Sequence, residues 1–196
     1  MKSTILIPLT IFFLFSLLFG CDTHVPDKKN PEGAFIRLAQ CIDTASTNCL
    51  FWEIDTETRW SVSSVHKLLS QIRSQVEKSY PKDQMLRDSV YGKWKFAADA
   101  ETAQEMFHRM CEETQCLQEL AKGFGAVKTV TREGNTATVE TMRGKRFPLR
   151  RTKGKWGLVL FEEKLNGEKI RLSDSLKQVK RNAAEYEQQR LATGRN

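Results

Sequence analysis

Five cysteines and a block of cations are the residues of this 196-residue chain whose types and spacing most readily do chemistry. Cys21 stands directly behind an apolar run from Ile5 to Phe19, a thiol placed where a chain leaves a targeting segment. Cys41, Cys49, Cys111 and Cys116 form an even set that can close two disulfides in any of three connectivities, the usage of an oxidising compartment. The competing use is a metal site completed by His66 and His108. No Cys-x-x-Cys pair or His-x-x-x-His spacing supports it, so neither a metal nor another cofactor is expected. Between Arg143 and Lys155, the residues Arg143, Lys145, Arg146, Arg150, Arg151, Lys153 and Lys155 are basic and none is acidic. On an alternating strand Arg146 and Arg150 share one face, opposite Phe147, Leu149 and Arg151. Such a surface suits an anionic lipid, polymer or acidic protein, or simply protects a sheet edge. No nucleophile elbow, phosphate loop, dinucleotide fingerprint or zinc-protease helix occurs.

The elements that must hold these residues follow from periodicity and capping. Asn30-Pro31-Glu32 begins a helix: Asn30 can cap, Pro31 fits the first helical position, and Glu32 complements the dipole. Phe35, Leu38, Ala39 and Ile42 then recur at helical spacing to about Asp43. A short second helix is expected around Leu50-Phe51-Trp52. Val62, Val65, Leu68, Leu69, Ile72 and Val76 make the strongest apolar stripe, with Trp60 as a staple just before it and Pro81 as its end. Asp99 can cap a further helix carrying Ala103 to Ala121, in which Thr114 interrupts the apolar face. A break there would let Cys111 meet Cys116. The polar Asp43 to Asn48 segment can likewise bend so that Cys41 meets Cys49. Long-range pairs between the first and fourth helices are the alternative.

After Gly125 the period changes from 3.6 to 2. Short segments rich in Val, Thr and aromatics, separated by Gly134-Asn135, Gly144 and Lys153-Gly154, predict antiparallel hairpins over 126–132, 136–143, 145–152 and 156–164. Residues 174 to 192 carry a thin stripe of Leu176, Val179, Ala183 and Tyr186 and read as an exposed terminal helix. Trp52, Trp60, Trp94 and Trp156, with Phe147 and Phe161, read mainly as core. The organisation expected is a signal over 1–20, a tether over 21–29, an α+β domain over 30–173, and a charged helical tail over 174–196.

The first 21 residues combine Lys2, an apolar run too short and too interrupted to span a membrane, and Leu18-Phe19-Gly20-Cys21. The last four residues resemble the lipobox of bacterial lipoproteins. That resemblance implies cleavage before Cys21, acylation of its thiol by palmitate-type chains, and a periplasm-facing domain anchored to the cell envelope. Cleavage there would leave 176 residues and, with Lys2 removed, a net charge of +6 rather than +7. An exported chain of this kind is not expected to meet nucleic acid.

Helices followed by an antiparallel meander, over about residues 31 to 165, resemble the nuclear-transport-factor-like (SnoaL-like) fold, in which helices pack on a curved sheet to form a cone. In that family the pocket sometimes holds an Asp/His pair for proton transfer. Asp43, Asp55 and His66 are the residues that could supply one here. The expectation is a noncatalytic binding or interaction domain held at a membrane. An enzyme using that pair is the alternative.

Overall fold

The computed structural model describes residues 26–194, so the signal and Cys21 lie outside the described residues. The chain is α+β, with helices first, then a meander, then a long terminal helix. Asn30 caps α1 (Pro31–Asp43), its Oδ1 accepting from Gly33 N at 2.6 Å. Ser46 caps α2 (Thr47–Glu53). The Cys41–Cys49 disulfide closes the corner between them, with Cα atoms 5.3 Å apart. Asp55 caps α3 (Thr56–Ser79). Trp60 therefore lies inside the helix rather than before it, and at 61 % exposure it staples nothing.

The 82–98 stretch forms α4 (Gln84–Tyr91) and a 3-10 turn over Gly92–Ala97. The next helix is broken where Thr114 interrupts its stripe. Thr102, not Asp99, caps α5 (Ala103–Glu113), and Gln115 takes a left-handed conformation before α6 (Cys116–Gly123). The break brings Cys111 and Cys116 to a Cα separation of 4.7 Å, and they are bonded. Both disulfides are local, and the long-range pairing is not adopted.

Strands β1 (Val127–Glu133), β2 (Thr136–Thr141), β3 (Arg146–Thr152) and β4 (Lys155–Leu158) form one antiparallel sheet in sequential order. Ala137, Val139, Phe147, Leu149, Trp156 and Leu158 are buried on its inner face. Phe35 of α1 stacks on Phe124 with centroids 4.5 Å apart, and Phe147 packs against both rings. Gly157 lets the α2–α3 corner approach. A Cβ there would lie 2.7 Å from the Asp55 backbone, whose N–H donates to the Leu158 carbonyl at 2.9 Å.

The sheet ends sooner than alternation predicts. Phe161 turns left-handed and α7 (Glu162–Ala192) starts twelve residues before the expected Asp174. It is no frayed tail: its Leu165, Leu172, Leu176, Val179 and Ala183 are buried. They oppose Val62, Val65, Leu69, Ile72 and Val76 of α3, and both stripes step by three, four or seven, the spacing of a packed helix seam. Arg150 bonds the first turns of both helices, while Tyr80 and Tyr186 meet at their far ends with centroids 5.0 Å apart. The two helices therefore run parallel.

Candidate functional site

The Asp43, Asp55 and His66 set does not assemble. Asp43 is exposed at the end of α1. Asp55 and His66 sit on one helix eleven residues apart, about 16 Å along its axis. His66 Nε2 donates to the Ala100 carbonyl at 3.0 Å, which tethers α3 to the segment before α5. Asp55 is buried, and its oxygens accept from Glu57 N at 3.0 Å, Thr58 N at 3.4 Å, the Thr58 hydroxyl, and Arg150 Nη1 at 3.4 Å. A carboxylate so occupied holds a helix end and is not poised to take a substrate proton.

Arg150 also departs from expectation. It does not belong to a free basic surface, because strand β3 delivers it between two helix N-termini. Nη1 reaches Asp55 and also Glu57 at 2.5 Å, while Nη2 binds both oxygens of Glu162 at 2.9 and 2.8 Å. Burial opposes its charge, but the bond to Glu162 and the neighbouring carboxylates outweigh burial and raise its pKa above the ordinary guanidinium value. Parallel helices place two positive dipole ends side by side. Acidic residues at both ends compensate them, and the guanidinium in turn joins those acids.

The remaining cations of 143–155 separate into two groups at opposite ends of β3 (Arg146–Thr152), roughly 20 Å apart at strand rise. At one end Arg143 donates to the Ala121 and Lys122 carbonyls at the close of α6, and Arg146 faces Glu140 at 3.5 Å. Lys145 packs over Gly123. At the other end Arg151, Lys153 and Lys155 are exposed around the β3–β4 turn.

That second end borders a feature periodicity does not reveal. The entry segment joins the sheet edge, where Trp156 N donates to the Lys28 carbonyl at 2.8 Å. Lys28 Nζ then meets Glu53 Oε2 at 2.8 Å and the Trp52 carbonyl at 2.8 Å. Arg37 binds the other Glu53 oxygen through two donors at 3.1 and 2.8 Å, and this hydrogen bond raises the Arg37 pKa. Glu53 itself is buried. The result is an open depression of about 640 Å³ in which Lys28, Arg37, Arg59 and Lys155 surround Trp52 and Glu53. Arg59 lies 5.5 Å from the Trp52 ring centroid, and the indole remains 53 % exposed. A run of alternating apolar residues gives no sign of this cluster. Its members come from the tether, three helices and the first residue of β4.

Of the further clefts among the described residues, two border the sheet and the α3–α7 seam. One, of about 300 Å³, lies between α6 and β3–β4, with Leu120, Phe147, Leu160 and Phe161 inside and Glu119 and Lys145 among its lining. The other, of about 680 Å³, separates the ends of α3 and α7 beside Tyr80 and Tyr186. None of the three is lined by Asp43, Asp55 or His66. Trp94, Trp156 and Phe147 are core; Trp52 and Trp60 are not. The cysteines of the alternative metal reading are consumed in disulfides, and no cluster of three or more His, Cys, Asp or Glu side chains is placed to hold a metal ion among the described residues. Comparisons with known proteins return no match to a family model, a curated protein or a solved structure.

Proposed function

We propose that this chain is a bacterial envelope lipoprotein, anchored through Cys21 and facing the periplasm, whose domain works by binding rather than by turnover. The observation that carries the second half is the filled interior. Trp156, Leu149 and Leu158 on the inner face of the sheet and Leu38 on α1 are almost unexposed and fill most of the space where a cone-fold enzyme would keep a pocket, and the cleft left between α6 and β3–β4 is lined by none of Asp43, Asp55 and His66. Two local disulfides support an oxidising compartment. The order of helices then meander supports kinship with the nuclear-transport-factor-like cone, to which α7 and its seam with α3 are an addition. An envelope protein or an anionic lipid or polymer is the class of partner such a basic domain fits.

Palmitate labelling and detergent phase partition test the anchor. Wild type should incorporate label and enter the detergent phase, and Cys21→Ser should do neither while retaining the fold. Equal labelling of both proteins would remove the reading.

A further inference from the structure

The face that carries Trp52 is also the face at which the chain approaches from Cys21. Pro26 lines the same depression as Trp52, Arg59 and Lys155, and Cys21 is five residues earlier in the sequence. Five steps of fully extended chain reach at most about 18 Å. A thiol acylated at Cys21 therefore brings this face, rather than the far ends of α3 and α7, next to the lipid headgroups.

We infer that the surface centred on Trp52, with Lys28, Arg59 and Lys155 around it, lies on the anionic surface of the bilayer that holds Cys21; the inference rests on the anchoring proposed above. Three properties fit that occupant. An indole 53 % exposed is poorly placed in water, whereas tryptophan is favoured at headgroup level, with its ring in an apolar layer and its N–H wet. Lys28 is engaged by Glu53, but Arg59 and Lys155 would each gain from a negative leaflet, and the exposed cations extend to Lys153 on the adjoining turn and Arg151 near the end of β3. The acids of the depression do not oppose contact: Glu53 is 3 % exposed and held by Lys28 and Arg37, and Asp27 lies 3.7 Å from Lys29. The basic group at the opposite end of β3 is a weaker candidate, since Arg143 and Arg146 already have partners.

The test uses the lipidated protein reconstituted in phosphatidylethanolamine vesicles that contain brominated lipid, with and without phosphatidylglycerol. Trp94 and Trp156 are buried, so the lipid-dependent quenching reports Trp52 or Trp60. Quenching should be strong with phosphatidylglycerol, weaken as salt rises from about 0.1 to 0.5 M, disappear in Trp52→Phe and survive in Trp60→Phe. Replacing Arg59 and Lys155 by Gln should shift the docked-to-undocked ratio by roughly 25-fold, about fivefold per charge. Lys155→Gln alone gives the single-charge shift without touching the Trp52–Arg59 contact. A lipidated protein whose Trp52 is quenched by aqueous iodide but not by brominated lipid overturns this inference alone. Quenching that is lost in Trp60→Phe and kept in Trp52→Phe overturns it equally. A protein that carries no lipid label overturns the anchor and this inference together.

Discussion

Arg150 and Asp55 are 95 residues apart in sequence, yet the guanidinium Nη1 lies 3.4 Å from the carboxylate Oδ1. One atom pair thus ties the third strand to the start of α3, and through Glu162 to the start of α7. The Asp55 side chain has no solvent exposure, and the Arg150 side chain retains 19 %. Removing the cation would leave a buried carboxylate without its partner. Arg150→Ala should therefore lower unfolding free energy by about 3 kcal/mol, measured by urea denaturation. Arg150→Lys should recover only part of this, because an ammonium cannot make the forked bond to Glu162. Unchanged stability in Arg150→Ala would show that the clasp is incidental.

Close approach at Gly157 predicts a second effect. A methyl group there would meet the Asp55 backbone, not a movable side chain, so the α2–α3 corner would have to shift. Gly157→Ala should cost about 1–3 kcal/mol by the same measurement. Gly167, with open space around its Cβ position in α7, is the control: Gly167→Ala should stabilise by roughly 0.5–1 kcal/mol.

Glu168 predicts a pH dependence. The carboxylate is buried in α7 and binds Lys93 Nζ at 2.6 Å and Trp94 Nε1 at 2.9 Å. Burial alone would raise its pKa, but those two hydrogen bonds and the nearby cations prevail and lower it below the ordinary glutamate value. A depressed folded pKa means stability that is fully present above the unfolded value and is lost as pH falls through the folded one. The loss should therefore begin as pH falls below about 4.3, where an unfolded glutamate titrates. Glu168→Gln should be less stable at neutral pH and show a shallower acid decline. Identical acid profiles for the two proteins would contradict this assignment.

The disulfides predict a peptide map. Nonreducing digestion should link Cys41 to Cys49 and Cys111 to Cys116, each bridge contributing about 2–3 kcal/mol in the loop-entropy description. A Cys41 peptide linked to one with Cys111 or Cys116 would contradict both local pairs. Gln115, left-handed at φ 50, costs backbone energy at the break, so Gln115→Gly should stabilise by roughly 1 kcal/mol.

Much of this architecture is legible in residue order because its signals are local. Asn30-Pro31 marks the start of α1, and the Val62 to Val76 stripe marks the buried face of α3. Thr114 weakens its helix where the chain breaks, and Gly134, Gly144 and Gly154 sit at the turns of the meander. The start of α7 is not legible, since nothing about a phenylalanine announces the left-handed turn at Phe161. Arg150 misleads for a different reason. Its place in a basic run suggests a solvated face, while its partners lie 95, 93 and 12 residues away. Periodicity likewise puts His66 at a helix edge without revealing that the Ala100 carbonyl waits there. The Trp52 depression needs five separate segments to coincide, which no single window of sequence contains.

Whether the domain is anchored through Cys21 is decided by the mass of the N-terminal peptide of the protein purified from membranes. The chain should begin at Cys21 and be heavier than the bare peptide by a diacylglyceryl group, with or without an N-acyl chain. An unmodified peptide beginning at Met1, or a cleaved chain whose Cys21 carries no lipid, would contradict the anchor.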